Sequence, residues 1–177
     1  AVFVVVYISF MGYAGDRVTA WLHPELDPGD TGYQILQSLY AIGSGGLFGL
    51  GYGKSRQKYL YLPFQYNDYI FAVICEELGL VGAMAIVALF AVTILRGYWI
   101  ALNARDRFST VFAAGLVTLI AVQTILNLCV VTNLLPSTGI ALPFFSYGGT
   151  ALAVNLGEMG IVLGISRGRN RRKIQEA

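Results

Sequence analysis

One carboxylate stands where it could do acid–base work. Asp68 lies in KYLYLPFQYNDYIFAVICEELGLVG, residues 58–82, where a polar, aromatic segment turns into a long apolar run. A carboxylate fixed at such a boundary can take a proton from a hydroxyl, so Asp68 is the candidate catalytic group. A second reading stands beside this one. An Asp at the head of a helix also makes a good N-cap, because its oxygens satisfy orphan backbone N–H groups. Ala72, Cys75, Gly79 and Gly82 fall roughly on the Asp68 face, a stripe of small residues that another helix or a substrate could approach closely. Glu76 and Glu77 are the nearest candidates for a second carboxylate. Eight residues on, Glu76 stands about 12 Å further along a helix and is rotated by roughly 80°. That lies outside the roughly 5–9.5 Å separation of carboxylates paired in glycoside chemistry. Glu77 points nearly to the opposite face, and both read as packing or cavity-lining groups, as does Glu158.

The cations cluster elsewhere. Lys54, Arg56 and Lys58 follow the glycine-rich run GSGGLFGLGYG, residues 43–53. Cations beside a flexible loop suit a diphosphate, and they equally suit a solvated basic loop. The word GLGYGKS resembles a phosphate-binding loop, but Phe48 occupies the first glycine position of that pattern and membrane helices flank it. The glycines then serve a close backbone turn beside a helix. Further candidate substrate contacts are Gln34, Gln37, Ser137, Thr138 and Ser146, with Pro136, Pro143, Gly148 and Gly149 shaping a cavity. His23 is a lone loop histidine, and Cys75 and Cys129 sit in apolar runs as packing residues.

The elements that must position these groups are set by a lipid solvent. The chain is 56% hydrophobic and 12% charged, against about 25% charged for a soluble domain, so it reads as an all-α, polytopic transmembrane bundle. A net charge of +2 does not point to a nucleic-acid partner. Residues 1–13 read as the end of a span, and their start without Met or a basic flank suggests the C-terminal part of a larger protein. Residues 14–67 read as an outer loop containing a re-entrant or interfacial helix over about 32–42. Spans are expected at 68–95, 108–132 and 147–165, followed by a basic tail at 166–177. Gln123 and Asn127, one turn apart, should face other helices. Pro136 and Pro143 rule out one uninterrupted helix between the last two spans. Arg96, Arg105 and Arg107 lie on the same side as the basic tail, which the positive-inside bias makes cytoplasmic; Asp68 is then expected at the outer face.

The runs GYQILQSLYAIGSGGLFGLGYGKSRQK, YLPFQYNDYIFAVICEELGLVG, PSTGIALPFFSYGGT and GISR resemble the C-terminal half of the SEDS family, the shape, elongation, division and sporulation proteins of bacteria. The GYQ and SRQK words resemble its division and sporulation branch. The resemblance implies a ten-helix enzyme of the cytoplasmic membrane, a peptidoglycan glycosyltransferase that polymerises lipid II outside the cell. It implies a class B penicillin-binding protein and other divisome proteins as partners, and Asp68 as the family's essential aspartate. Phe64, Tyr66 and Asn67 depart from the family, which often has Glu after the YLP word and His-Thr before the aspartate. Joined to the residue argument, the expected mechanism is inverting. Asp68 is base to the acceptor hydroxyl, while Lys54, Arg56 or Lys58, or a divalent cation such as Mg or Mn, stabilises the leaving diphosphate. A lipid II flippase and a non-catalytic division scaffold are the alternative readings.

Overall fold

A computed structural model describes residues 15, 17–26, 31–55 and 68–175, with only the backbone at 31 and 169–175. The expected span end at 1–13, Arg56 and Lys58 lie outside the described residues. Among the described residues all regular structure is helical: a helical stretch at 17–22, a 3₁₀ turn at Pro24–Leu26, α1 Thr31–Gly45, α2 Ile70–Leu102, α3 Arg107–Val131 and α4 Gly149–Gln175. Three helices are long and apolar enough to cross a membrane. The α2 helix runs past the expected end near Leu95. It thereby takes Arg96 out of the connecting loop and stacks its guanidinium over Trp99, 5.2 Å from the ring centroid. Helix α4 continues through the basic segment to Gln175.

Helix α3 begins at a true capping aspartate. Asp106 accepts from Ser109 N at 2.9 Å and from Ser109 Oγ at 2.8 Å, which fixes the turn between α2 and α3. The two helices then run antiparallel in close contact. Gly97 allows this, because a Cβ there would lie 2.6 Å from Val117 Cγ2.

The expectation of one straight span starting at Asp68 fails at Gly79, where φ is 68° and ψ is −169° inside α2. A break exposes the last carbonyls of one helix and the first N–H groups of the next, and these need partners. The glycine-rich loop supplies them from its own backbone. Leu50 N donates to Glu76 O at 2.9 Å and Gly51 N to Glu77 O at 3.0 Å; Leu80 N donates to Gly46 O at 2.9 Å and Val81 N to Leu47 O at 3.2 Å. The stripe of small residues on α2 is therefore occupied by the chain's own loop: a Cβ on Gly45 would fall 2.0 Å from Cys75 O. The close turn beside a helix expected from the glycines is what the structure shows.

The break folds the short limb, residues 70–78, back toward the bundle. With Gly97 against Val117, Val87 lies level with Asn127, since Val87 is ten residues before Gly97 on α2 and Asn127 ten after Val117 on the antiparallel α3. A straight helix would carry Asp68 about 28 Å beyond that level. Yet Asn127 Nδ2 donates to Asp68 O at 2.8 Å. Packing agrees: Tyr69, Phe71, Ala72 and Cys75 share one apolar cluster with Ala83 and Phe90 of the long limb, Val131 of α3 and Leu142. The long limb, residues 80–102, is about 34 Å in length and can cross a hydrocarbon core alone. The segment between α3 and α4 also dips inward, with Ile140 O on Asn127 Nδ2 and the Phe145 ring 5.8 Å from that of Phe90.

Candidate active site

Asp68 and residues 137–140 meet one turn below the end of α3, recessed within the bundle. The folded limb carries Asp68 inward from where a straight helix would leave it. The capping alternative is also removed. Tyr69 is the N-cap residue of α2 and makes no side-chain capping bond, and among the described residues no hydrogen bond reaches the Asp68 carboxylate. Asp106 shows the contrast: bonds from Ser109 hold its carboxyl below the ordinary range. Half-buried Asp68 is pushed the other way, raised by burial, with the Arg17 guanidinium opposing the shift. A raised carboxyl is a better proton acceptor than an exposed one.

Arg17 comes from the helical stretch at 17–22 and donates through Nη1 to Ser137 O at 2.6 Å. Trp21, one turn on, donates Nε1–H to Asn133 O at 3.0 Å. These two bonds hang the stretch on the start of the inward-dipping segment. Gly139, at φ +69°, closes the near side of the site; a Cβ there would lie 3.6 Å from Asp68 Oδ2. Tyr69 is 2% exposed, with its hydroxyl beside the Ser137 side chain and kept protonated by burial. Behind residues 140–141 opens a cavity of about 360 Å³ lined by Gln123, Thr150, Val154 and Asn155.

The sequence-derived candidates divide by place. Ser137 lies at the site through both its carbonyl and its side chain, while Thr138 is exposed on the same segment. Ser146 closes a turn instead: its Oγ accepts from Leu142 N at 2.7 Å, over buried Pro143. Pro136 opens the inward-dipping segment, half-buried, and Gly148 O receives Leu152 N in the first turn of α4, with Gly149 exposed. Half-buried Gln34 and Gln37 lie on α1, whose Ser38 Oγ donates to Val131 O at 3.3 Å. Glu76 accepts a short bond from Ser55 Oγ, both being 1% exposed. Glu77 is buried at the glycine clamp, and Glu158 on the buried stripe of α4 with Asn155 and Val162. His23 is exposed, 3.3 Å from Glu25.

The structure does not bring Lys54 to Asp68. Lys54 is exposed beside Ser55, which is tied to Glu76, and Glu76 lies about 12 Å along the limb from Asp68. Among the described residues the cation that does face the carboxylate is Arg17, 51 residues upstream in a stretch whose composition reads as loop, with no spacing to mark it. Among the described residues no group of three His, Cys, Asp or Glu side chains comes together.

A multi-pass helical membrane protein with a recessed, half-buried aspartate is thus the class that fold and site define. Residues 1–171 match the model of the cell cycle protein family FTSW_RODA_SPOVE, and the chain belongs to that family. It is 50% identical over 155 residues to stage V sporulation protein E of Bacillus subtilis (strain 168), covering 88% of this chain and 42% of that protein. It is 45% identical over 166 residues to the probable peptidoglycan glycosyltransferase FtsW of Trichlorobacter lovleyi, covering 94% and 44%. Among solved structures, a chain of a peptidoglycan synthase complex that coordinates polymerization and crosslinking superposes with a TM-score of 0.73 at 30% identity, over 96% of this chain and 46% of that one. The rod shape determining protein RodA of Thermus thermophilus gives 0.58 at 34%, over 75% and 40%. The chain spans less than half the length of the curated relatives it matches.

Proposed function

We propose that the protein carrying this chain is a peptidoglycan glycosyltransferase that polymerises lipid II, with Asp68 as the general base. The observation that carries the reading is Asp68 itself: a carboxylate freed from capping, raised by burial and set against an arginine in a membrane bundle. The relatives named as peptidoglycan glycosyltransferases support the reaction class. Asp68 removes the proton from the acceptor sugar's hydroxyl as that oxygen attacks the donor's anomeric carbon. The bond to the lipid diphosphate breaks, and the configuration inverts. A divalent cation such as Mg or Mn, bound with the diphosphate, would stabilise the charge that develops on it. The Asp68 end of the bundle faces outward and the basic end of α4 faces the cytoplasm, following the arginine distribution. A class B penicillin-binding protein is the partner, in keeping with the synthase complex whose chain shares this fold. The test is polymer formation from lipid II by the intact protein in detergent, with Asp68→Asn in the same assay.

A pH prediction arises from Arg17. The base works only when ionised, so polymerisation falls as pH drops through the raised pKa of Asp68. Arg17 lowers that pKa, hence Arg17→Leu should move the acid limb of the rate profile to higher pH, while Arg17→Lys should hold it nearer the parent's. A limb that stays in place in both variants would show that Asp68 does not feel this charge.

A further inference from the structure

Asn127 is 1% exposed in the last turns of α3, and its one amide serves two otherwise separate backbones. Nδ2 donates to Asp68 O and to Ile140 O, each at 2.8 Å. Asp68 O belongs to the residue that bears the carboxylate, and Ile140 follows Gly139, which walls the Asp68 Oδ2 side of the site. Both amide hydrogens are spent on these contacts. The two strands of chain held by them are the head of the folded limb and the inward-dipping segment, which also meet where the Tyr69 hydroxyl lies beside the Ser137 side chain.

We propose that Asn127 is a positioning residue for the transfer reaction, its single amide fixing the Asp68 backbone and the Gly139 wall as one unit around the reacting hydroxyl. The inference rests on the glycosyltransferase reading. Reaction geometry is sensitive at this scale, since a misplacement of about 1 Å costs about 10²-fold in rate. Neither Asp nor Leu, both close to Asn in size, reproduces the double donation: an ionised Asp replaces the two N–H donors by an acceptor oxygen facing two carbonyls, and Leu offers no donor. Binding of a substrate whose polyprenyl chain stays in the lipid does not require that geometry, so the loss should fall on kcat and spare KM.

The experiment uses the full-length protein with lipid II as substrate, measuring kcat and KM per folded molecule for Asn127→Asp, Asn127→Leu and Asn127→Ser, together with melting in detergent. Expected is a fall in kcat of about 10²-fold with KM within about threefold. Thr124→Ser, on the same buried face of α3 but bonded only within its helix, should keep parental kinetics. Unchanged kcat in the folded Asn127 variants overturns the inference. So does failure of all of them to fold, which would make the amide a folding determinant. Asp68→Asn separates the two levels. If that variant polymerises normally, the base reading falls; if it is inactive while the Asn127 variants are not, only the positioning role falls.

Discussion

Asp68→Asn is expected to slow glycan polymerisation by about 10²–10⁴-fold, the range attributed to a positioned general base, while leaving the protein folded. The two halves of that expectation come from one set of contacts. The carboxylate accepts no hydrogen bond among the described residues and caps no helix, so the amide removes no structural bond. It also removes a half-buried charge that burial already disfavours, which makes loss of stability from the exchange unexpected. What the amide cannot do is accept a proton at neutral pH, and the acceptor hydroxyl then has no base. Asp68→Glu is the informative companion: it keeps the base but extends it by one methylene toward Gly139, and should fall between parent and Asn. Turnover of lipid II and the melting temperature, read on the same preparations, decide the matter. An Asn variant with parental turnover would remove Asp68 from the chemistry.

Much of this arrangement was legible because membrane helices announce themselves by composition. The spans expected at 68–95, 108–132 and 147–165 overlap the apolar helices found at 70–102, 107–131 and 149–168, and the FTSW_RODA_SPOVE family match agrees with the motifs that carry the resemblance. Asp68 was legible as a polar residue at a boundary. Its depth was not, because ELGLVGAM reads as uninterrupted helix: a glycine in such a run weakens the helix by only about 1 kcal/mol. Gly79 breaks α2 because the backbone of residues 46–51 offers replacement hydrogen bonds, and that offer depends on a partner about thirty residues away. Arg17 was hidden for the same reason. A charge in a polar loop looks solvated until tertiary structure brings it to a carboxylate. Lys54, Arg56 and Lys58 drew attention by clustering, yet the described member of that cluster follows the glycine loop to Glu76 and so leaves the Asp68 site.

The second large effect belongs to the clamp itself. Gly45→Ala, Gly49→Ala and Gly79→Ala should each destabilise the fold by several kcal/mol, at or beyond the level of about 4 kcal/mol where single substitutions become exceptional. At Gly45 the new methyl would meet Cys75 O, and at Gly49 it would lie 2.2 Å from Glu77 O; both are backbone atoms that cannot rotate away. At Gly79 it would lie 2.3 Å from Gly49 N, and φ of +68° adds a conformational cost that only glycine escapes. Gly43→Ala provides the opposite sign within the same run. It is exposed in α1 with nothing within 4 Å of the added carbon, so it should stabilise by about 0.5–1 kcal/mol. Melting of the full-length variants in detergent checks the series, and a Gly79→Ala protein that melts like the parent would show that the break survives without its glycine. Any partly folded member should also lose polymerisation out of proportion to its loss of folded protein. Without the break, the limb has no reason to turn back, and a straight α2 would lift Asp68 about 28 Å away from Asn127 and the segment that encloses it.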